Sequence, residues 1–212
     1  MFGSPDIGKG VHGTVNLAVA ILGAVGTVMA AGAAVGSLLA ARQANRAAAT
    51  LAMIERHRWH ADLTPQFEVT CTATSGDRAT LRVAFVGPPG LDRLDQVTVS
   101  IRDDIRGRAP VIAGGPTAEQ IARQVWGPYR FVRGVDGADE NGRSVAAVEL
   151  LLGDWRPFAL EQTPPPPWWG GGGVDGWRKQ YADQPVRLTF TCHRQDDEPW
   201  TVPREVYVNQ DG

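Results

Sequence analysis

The chain has 212 residues with 21 basic and 23 acidic side chains, a formal net charge of −2, and so no basic excess of the kind nucleic acid selects. Several enzyme classes lack their signatures here, since no GxSxG, HExxH, CxxC or P-loop spacing occurs. Arginine greatly outnumbers lysine, and alanine and glycine are abundant, which coding bias explains as readily as function.

After a short tail, 1–12, no charged side chain occurs between His12 and Arg42. The run Gly13 to Ala41 is about 29 residues, long enough at 1.5 Å per residue to cross a hydrocarbon core of roughly 30 Å. It predicts a transmembrane helix over 13–41. Two plainer readings compete. A signal peptide has a basic n-region and an apolar stretch of about 7–15 residues, whereas here Lys9 is offset by Asp6 and the run is about twice too long. A buried helix of a soluble protein is the other, favoured by the Ala/Gly richness but not by so long an uncharged run.

Within the run, Gly32 and Gly36 make a GxxxG pair, the spacing that lets two helix backbones approach in lipid and allows a homodimer through that face. A span built largely of Ala, Gly and Val also contains such spacings by chance. Arg42, Arg46, Arg56 and Arg58 follow the run against Glu55 alone, so the positive-inside rule predicts the N-terminus outside and the remainder cytoplasmic, at the plasma membrane.

Residues 42–62 hold no Gly or Pro and many helix formers, which predicts a juxtamembrane stalk that Pro65 ends at the latest. Leu51, Ile54 and the stem of Arg58 fall on one narrow stripe. His57 and His60 sit three apart, but no further ligand lies near them for a metal, and a solvated helix face is the expected role.

The domain over 63–210 reads as β. Phe67, Val69, Cys71 and Ala73 alternate with polar residues, and Ser75, Gly76 and Asp77 turn into Leu81, Val83 and Phe85, predicting a hairpin. Val97, Val99 and Ile101 make a third strand. Thr117 and Gln120 have capping-box spacing for one short helix ended by Gly127 and Pro128. Val145 to Leu152, Trp155 to Gln162 and Val186 to Cys192 follow as strands, with a last one from Trp200 to Val208 interrupted at Pro203. Seven or eight such strands predict an antiparallel, immunoglobulin-like β-sandwich, and roughly 150 residues suffice for its core. Cys71 and Cys192 both fall on inward faces. They are thiols if the domain is cytoplasmic and a disulfide if it is exported.

Thr163 to Trp177 is the most distinctive loop: four prolines, Trp168 and Trp169, four glycines, then Trp177. Extended proline backbone and exposed tryptophans predict a partner-binding surface at Trp168, Trp169 and Trp177, while tryptophans folded back over an end of the sandwich are the commoner arrangement. Acidic residues cluster at Asp92, Asp95, Asp103 and Asp104, and again at Asp136, Asp139 and Glu140 beside Asn141. The second cluster lacks the alternating ligand spacing of an EF-hand, so a solvated turn is expected in preference to Ca²⁺.

The stretches ERHRWHADLTPQFEVTC, GPPGLDRLDQVTVSIRDD, GGPTAEQIARQVWGPYRF and EPWTVPREVYV resemble those of uncharacterised actinobacterial proteins, some membrane-anchored, that share this β region. The resemblance spans most of residues 55 to 209 and implies no catalytic or ligand residue. The expectation is a single-pass, membrane-anchored, non-enzymatic protein presenting a cytoplasmic β-sandwich to a protein partner, with no cofactor, metal or nucleic acid. The alternative is a tethered small-ligand or Ca²⁺-binding domain, or a degenerate enzyme.

Overall fold

The computed structural model describes residues 41–104, 115–170 and 172–209. All of the run Gly13 to Ala41 except its last residue lies outside these, including Gly32 and Gly36. Among the described residues no helix is long and apolar enough to cross a membrane. The chain divides into two compact units, Met1–Arg58 and Trp59–Gly212.

Helix α1 covers 41–62. Its one mid-helix hydroxyl is accommodated because Thr50 Oγ1 donates back to the Arg46 carbonyl at 2.9 Å. The helix ends where Thr64 donates both its N–H and its hydroxyl to the Ala61 carbonyl, at 3.1 and 2.7 Å, and Pro65 cannot supply a further helical N–H. The last turn is held by Trp200. Its indole stacks on the His60 ring at 4.5 Å and 7° while Nε1 donates to the His60 carbonyl at 2.9 Å.

The second unit is mainly β, with two antiparallel-rich sheets and few helices, consistent with a β-sandwich. The strands are β1 (Gln66–Ser75), β2 (Arg78–Gly87), β3 (Arg93–Ile101), β4 (Tyr129–Phe131), β5 (Val148–Leu151), β6 (Trp155–Gln162), β7 (Val186–His193), β8 (Trp200–Val206) and β9 (Val208–Asn209). One sheet has the order β4-β6-β2-β1-β9 and the other β5-β3-β7-β8. The hairpin β1–β2 turns through Gly76, whose φ of 58° a side chain would resist.

Alternation decides which face is buried. Phe67 and Cys71 of β1, Leu81, Val83 and Phe85 of β2, and Phe158 and Leu160 of β6 meet Val97, Val99 and Ile101 of β3 and Leu188, Phe190 and Cys192 of β7 in one core. On β3 the inward residues Leu94 and Val97 are three apart, because the register against β5 shifts between them.

Three features differ from the expectation. Strand β8 runs through Pro203, which an edge strand tolerates, and Tyr207 then carries the chain across to the other sheet, where β9 pairs in parallel with Cys71 and Thr72 of β1. Strand β4, paired with the end of β6, was not expected at all. And a second short helix accompanies the capped one: besides α2 (Ala118–Arg123), with its capping box at Thr117 and Gln120, there is α3 (Gly173–Tyr181).

Cys71 and Cys192 face inward from opposite sheets as free, fully buried thiols. Burial pushes the Cys71 thiol up from 9.0 to about 11 and that of Cys192 up to about 12. The folded state thus holds both protons more tightly than the unfolded chain does. The resulting stability is complete below about pH 9 and is lost as pH rises through about 11 and 12. A thiol reagent at pH 8 is expected to label neither cysteine in the native protein and both in denaturant. Stability titrated with pH is expected to decline from about pH 9 upward, a decline that a C71A/C192A variant lacks.

Candidate functional site

The tryptophan loop leaves β6 at Thr163, whose N–H donates to the Pro128 carbonyl at 3.0 Å. Gln124 Nε2 then fixes the proline run by donating to the Pro164 carbonyl at 3.0 Å, and the Trp169 N–H turns back onto the Pro166 carbonyl at 2.9 Å. Helix α3 follows, with Gly172 at its N-cap offering no capping side chain. What holds α3 is packing: Trp177 and Tyr181, one turn apart, share its buried face.

That face meets Trp126. Its ring lies 5.6 Å from Trp177, Tyr181 lies 4.9 Å from Trp177 on the other side, and Trp169 stands edge-on to Trp177 at 5.2 Å and 86°. Ile121 completes this satellite core, which caps the end of the sandwich where β6 stops and β7 begins. Trp126 is positioned by Asp103, whose Oδ1 accepts its N–H at 2.9 Å, and by its own Nε1, which donates to the Ile121 carbonyl at 3.1 Å. Arg143 closes the network: it pairs with Asp103 at 3.0 Å and donates to the Ala122 and Gln124 carbonyls at the end of α2, at 3.2 and 2.8 Å.

The three tryptophans expected at a contact surface therefore have different fates. Trp177 is 1% exposed and is a core residue, a correction that follows from its helical spacing with Tyr181 and its packing on Trp126. Trp169 is half-buried against it. Trp168, also half-buried, lines a shallow hollow of about 200 Å³ with Gln124, Arg123, Arg130 and Arg133. Of these arginines, Arg123 pairs with Glu119 at 2.6 Å and Arg130 with Glu161 at 2.7 Å.

The acidic clusters are engaged in holding loops. Asp139 accepts the N–H groups of Asn141 and Arg143 on Oδ1 and the N–H and hydroxyl of Ser144 on Oδ2, all between 2.8 and 3.0 Å. Burial works to raise its pKa, but the backbone donors of Arg143, Asn141 and Ser144 and the Ser144 hydroxyl outweigh it and hold the carboxyl below its usual value. Within this loop Gly142 has φ 69° and lies against the Phe131 carbonyl, so no side chain fits there. Asp136 accepts the Ala159 N–H at 2.9 Å, and Asp95 accepts the Gln195 N–H at 2.7 Å while pairing with Arg93. Among the described residues no group of three or more His, Cys, Asp or Glu is placed to hold a metal.

A larger cleft, of about 520 Å³, runs between the start of β4, the end of β6, the C-terminal turn of α3 and the β8–β9 crossover. Its wall includes Tyr129, Gln162, Thr163, Trp177, Asp183 and Tyr207. None of these except Trp177 was singled out from sequence, because the cleft joins four segments that no local pattern connects. Comparison with protein families, curated proteins and solved structures finds no match for this chain.

Two substitutions separate these roles. Trp177→Ala is expected to cost about 3–5 kcal/mol, lowering the thermal midpoint by roughly 2–4 °C per kcal/mol, whereas Trp168→Ala is expected to cost under about 1 kcal/mol by calorimetry. Asp139→Ala is expected to lose roughly 2–3 kcal/mol at neutral pH. Because the folded-state pKa is depressed, that contribution is present above the unfolded carboxylate value and disappears as pH falls through the folded one. The stability gap between wild type and Asp139→Ala is therefore expected to narrow in acid, and a gap that stays constant down to pH 2 counts against the assignment.

Proposed function

We propose that this is a single-pass, membrane-anchored, non-enzymatic protein whose β domain, of immunoglobulin-like sandwich type, lies in the cytoplasm and is presented to a protein partner on a helical stalk. The uncharged run Gly13 to Ala41 carries this reading. Helix α1 supports it: residues 41–59 are exposed throughout, with Leu51 at 63% and Trp59 at 68%. The placement of Cys71 and Cys192 on the inward faces of opposite sheets supports the likeness to immunoglobulin domains. Trp168 and its arginine-lined hollow, rather than Trp177, form the contact surface this reading assigns to the partner, and Trp169 supports it from behind. Gly32 and Gly36 provide the face for a homodimer in lipid.

The full chain is expected to stay with membranes through alkaline carbonate washing, and its recovery in the soluble fraction refutes the anchor. A membrane-impermeant thiol label applied to intact cells is expected to reach a cysteine placed at Ser4 and not one placed at Asp211. The reverse pattern puts the domain outside.

A further inference from the structure

The cleft beside α3 is a polar cavity that the anchor reading leaves without a role. Its volume of about 520 Å³ lies within the range of about 300–1,000 Å³ common for small-molecule sites. Three buried side-chain polar atoms without a hydrogen-bond partner among the described residues belong to residues of its wall: Gln162 Oε1, Thr163 Oγ1 and Trp177 Nε1. Unpaired buried polar atoms are scarce in folded proteins because each forfeits its hydration, so three along one wall call for a reason. Thr163 is only 3% exposed and could be replaced by an apolar residue of its own shape at no loss of hydrogen bonding.

The chemistry of the wall defines what fits. Gln162 Oε1 accepts, Trp177 Nε1 donates, and the Thr163 hydroxyl does both. Arg178 and Asp183 bring opposite charges to the lining, which disfavours a ligand of strong single sign. Tyr129 and Tyr207 add aromatic faces, that of Tyr207 on a side chain 63% exposed. Donors, acceptors and aromatic faces without net charge match a ring that carries hydroxyls at its edge and C–H groups on its face. We propose that this cleft binds a neutral saccharide of one or two rings. All three unpaired atoms are closed off from solvent, and Trp177 is fixed in the satellite core, so occupancy entails side-chain rotation at Gln162 and Thr163. The inference stands apart from the membrane reading, since every residue it uses lies within the unit Trp59–Gly212.

The test is calorimetric titration of the full chain, held in a detergent without a sugar headgroup, with glucose, galactose, mannose, N-acetylglucosamine, maltose, cellobiose and chitobiose. Saturable heat is expected with at least one of them. Thr163→Val and Tyr207→Ala are each expected to weaken it at least tenfold. Without ligand, Thr163→Val is expected to keep or raise the thermal midpoint, because it removes an unpaired hydroxyl and keeps the shape, and Tyr207→Ala is expected to leave it unchanged. No saturable heat from any of these sugars overturns the proposal. So does binding that both variants leave intact, and so does a midpoint lowered by Thr163→Val, which would mean that the hydroxyl serves the fold. Saturable heat from short neutral peptides but not from sugars would replace a saccharide site by a peptide site.

Discussion

Everything in the β unit depends on two sheets sharing a single inner face, and the contact of Phe67 with Phe190 shows the constraint most directly. Their rings stack at 4.5 Å and 17°, one from β1 and one from β7, while Phe85 lies 5.8 Å from Phe67 on the same side. A one-residue slip of either strand would turn its whole apolar set to solvent, so the register of β1 on β2 and of β3 on β7 follows from burial. The two cysteines are part of this. Each fills a small inward position between larger neighbours, and a charged thiolate in either place would have no solvent or partner to stabilise it.

The second core forms between two connections, the stretch from α2 to β4 and the stretch from β6 through α3 to β7. Trp126 and Trp177 arrive from these two connections and pack against each other. The arrangement has a cost: among the described residues the Nε1 groups of Trp169 and Trp177 find no partner, whereas that of Trp126 finds the Ile121 carbonyl. Asp103 and Arg143 show how polar groups compensate nearby, since one carboxylate and one guanidinium serve a loop, a helix end and a tryptophan together.

Much of the sheet was legible in the sequence because burial on one face writes period-two alternation directly into Phe67–Ala73, Leu81–Phe85 and Val186–Cys192. The capping box at Thr117 was legible for a similar reason, being a local hydrogen-bond pattern. Strand β4 was not, since three residues carry too little periodicity and depend on pairing with β6. Helix α3 was hidden by its glycines. Trp177 and Tyr181 sit at helical spacing, but the signal that Trp177 is buried lies in Trp126, 51 positions earlier, and no local pattern links them. The acids around Asp139 allowed either a turn or cation ligands, because the residue types that bind cations are also those that accept backbone hydrogen bonds in turns.

Register also separates the two ends of the β unit. Strand β1 begins at Gln66 opposite Gly87, close to where His60 stacks on Trp200, whereas Arg78 at the start of β2 pairs with Glu161 beside Gln162 and Thr163. The His60–Trp200 contact therefore lies at one end of the β unit, and the satellite core and the polar cleft occupy the other. Ten residues of β1 at about 3.3 Å each put roughly 30 Å between them. A side chain at the cleft can change without touching the His60–Trp200 clasp, and the clasp can change without touching the cleft. The clasp and the cleft are thereby separate in this fold: between them lies the packed core, whose close-packed side chains leave little room for either end to move the other.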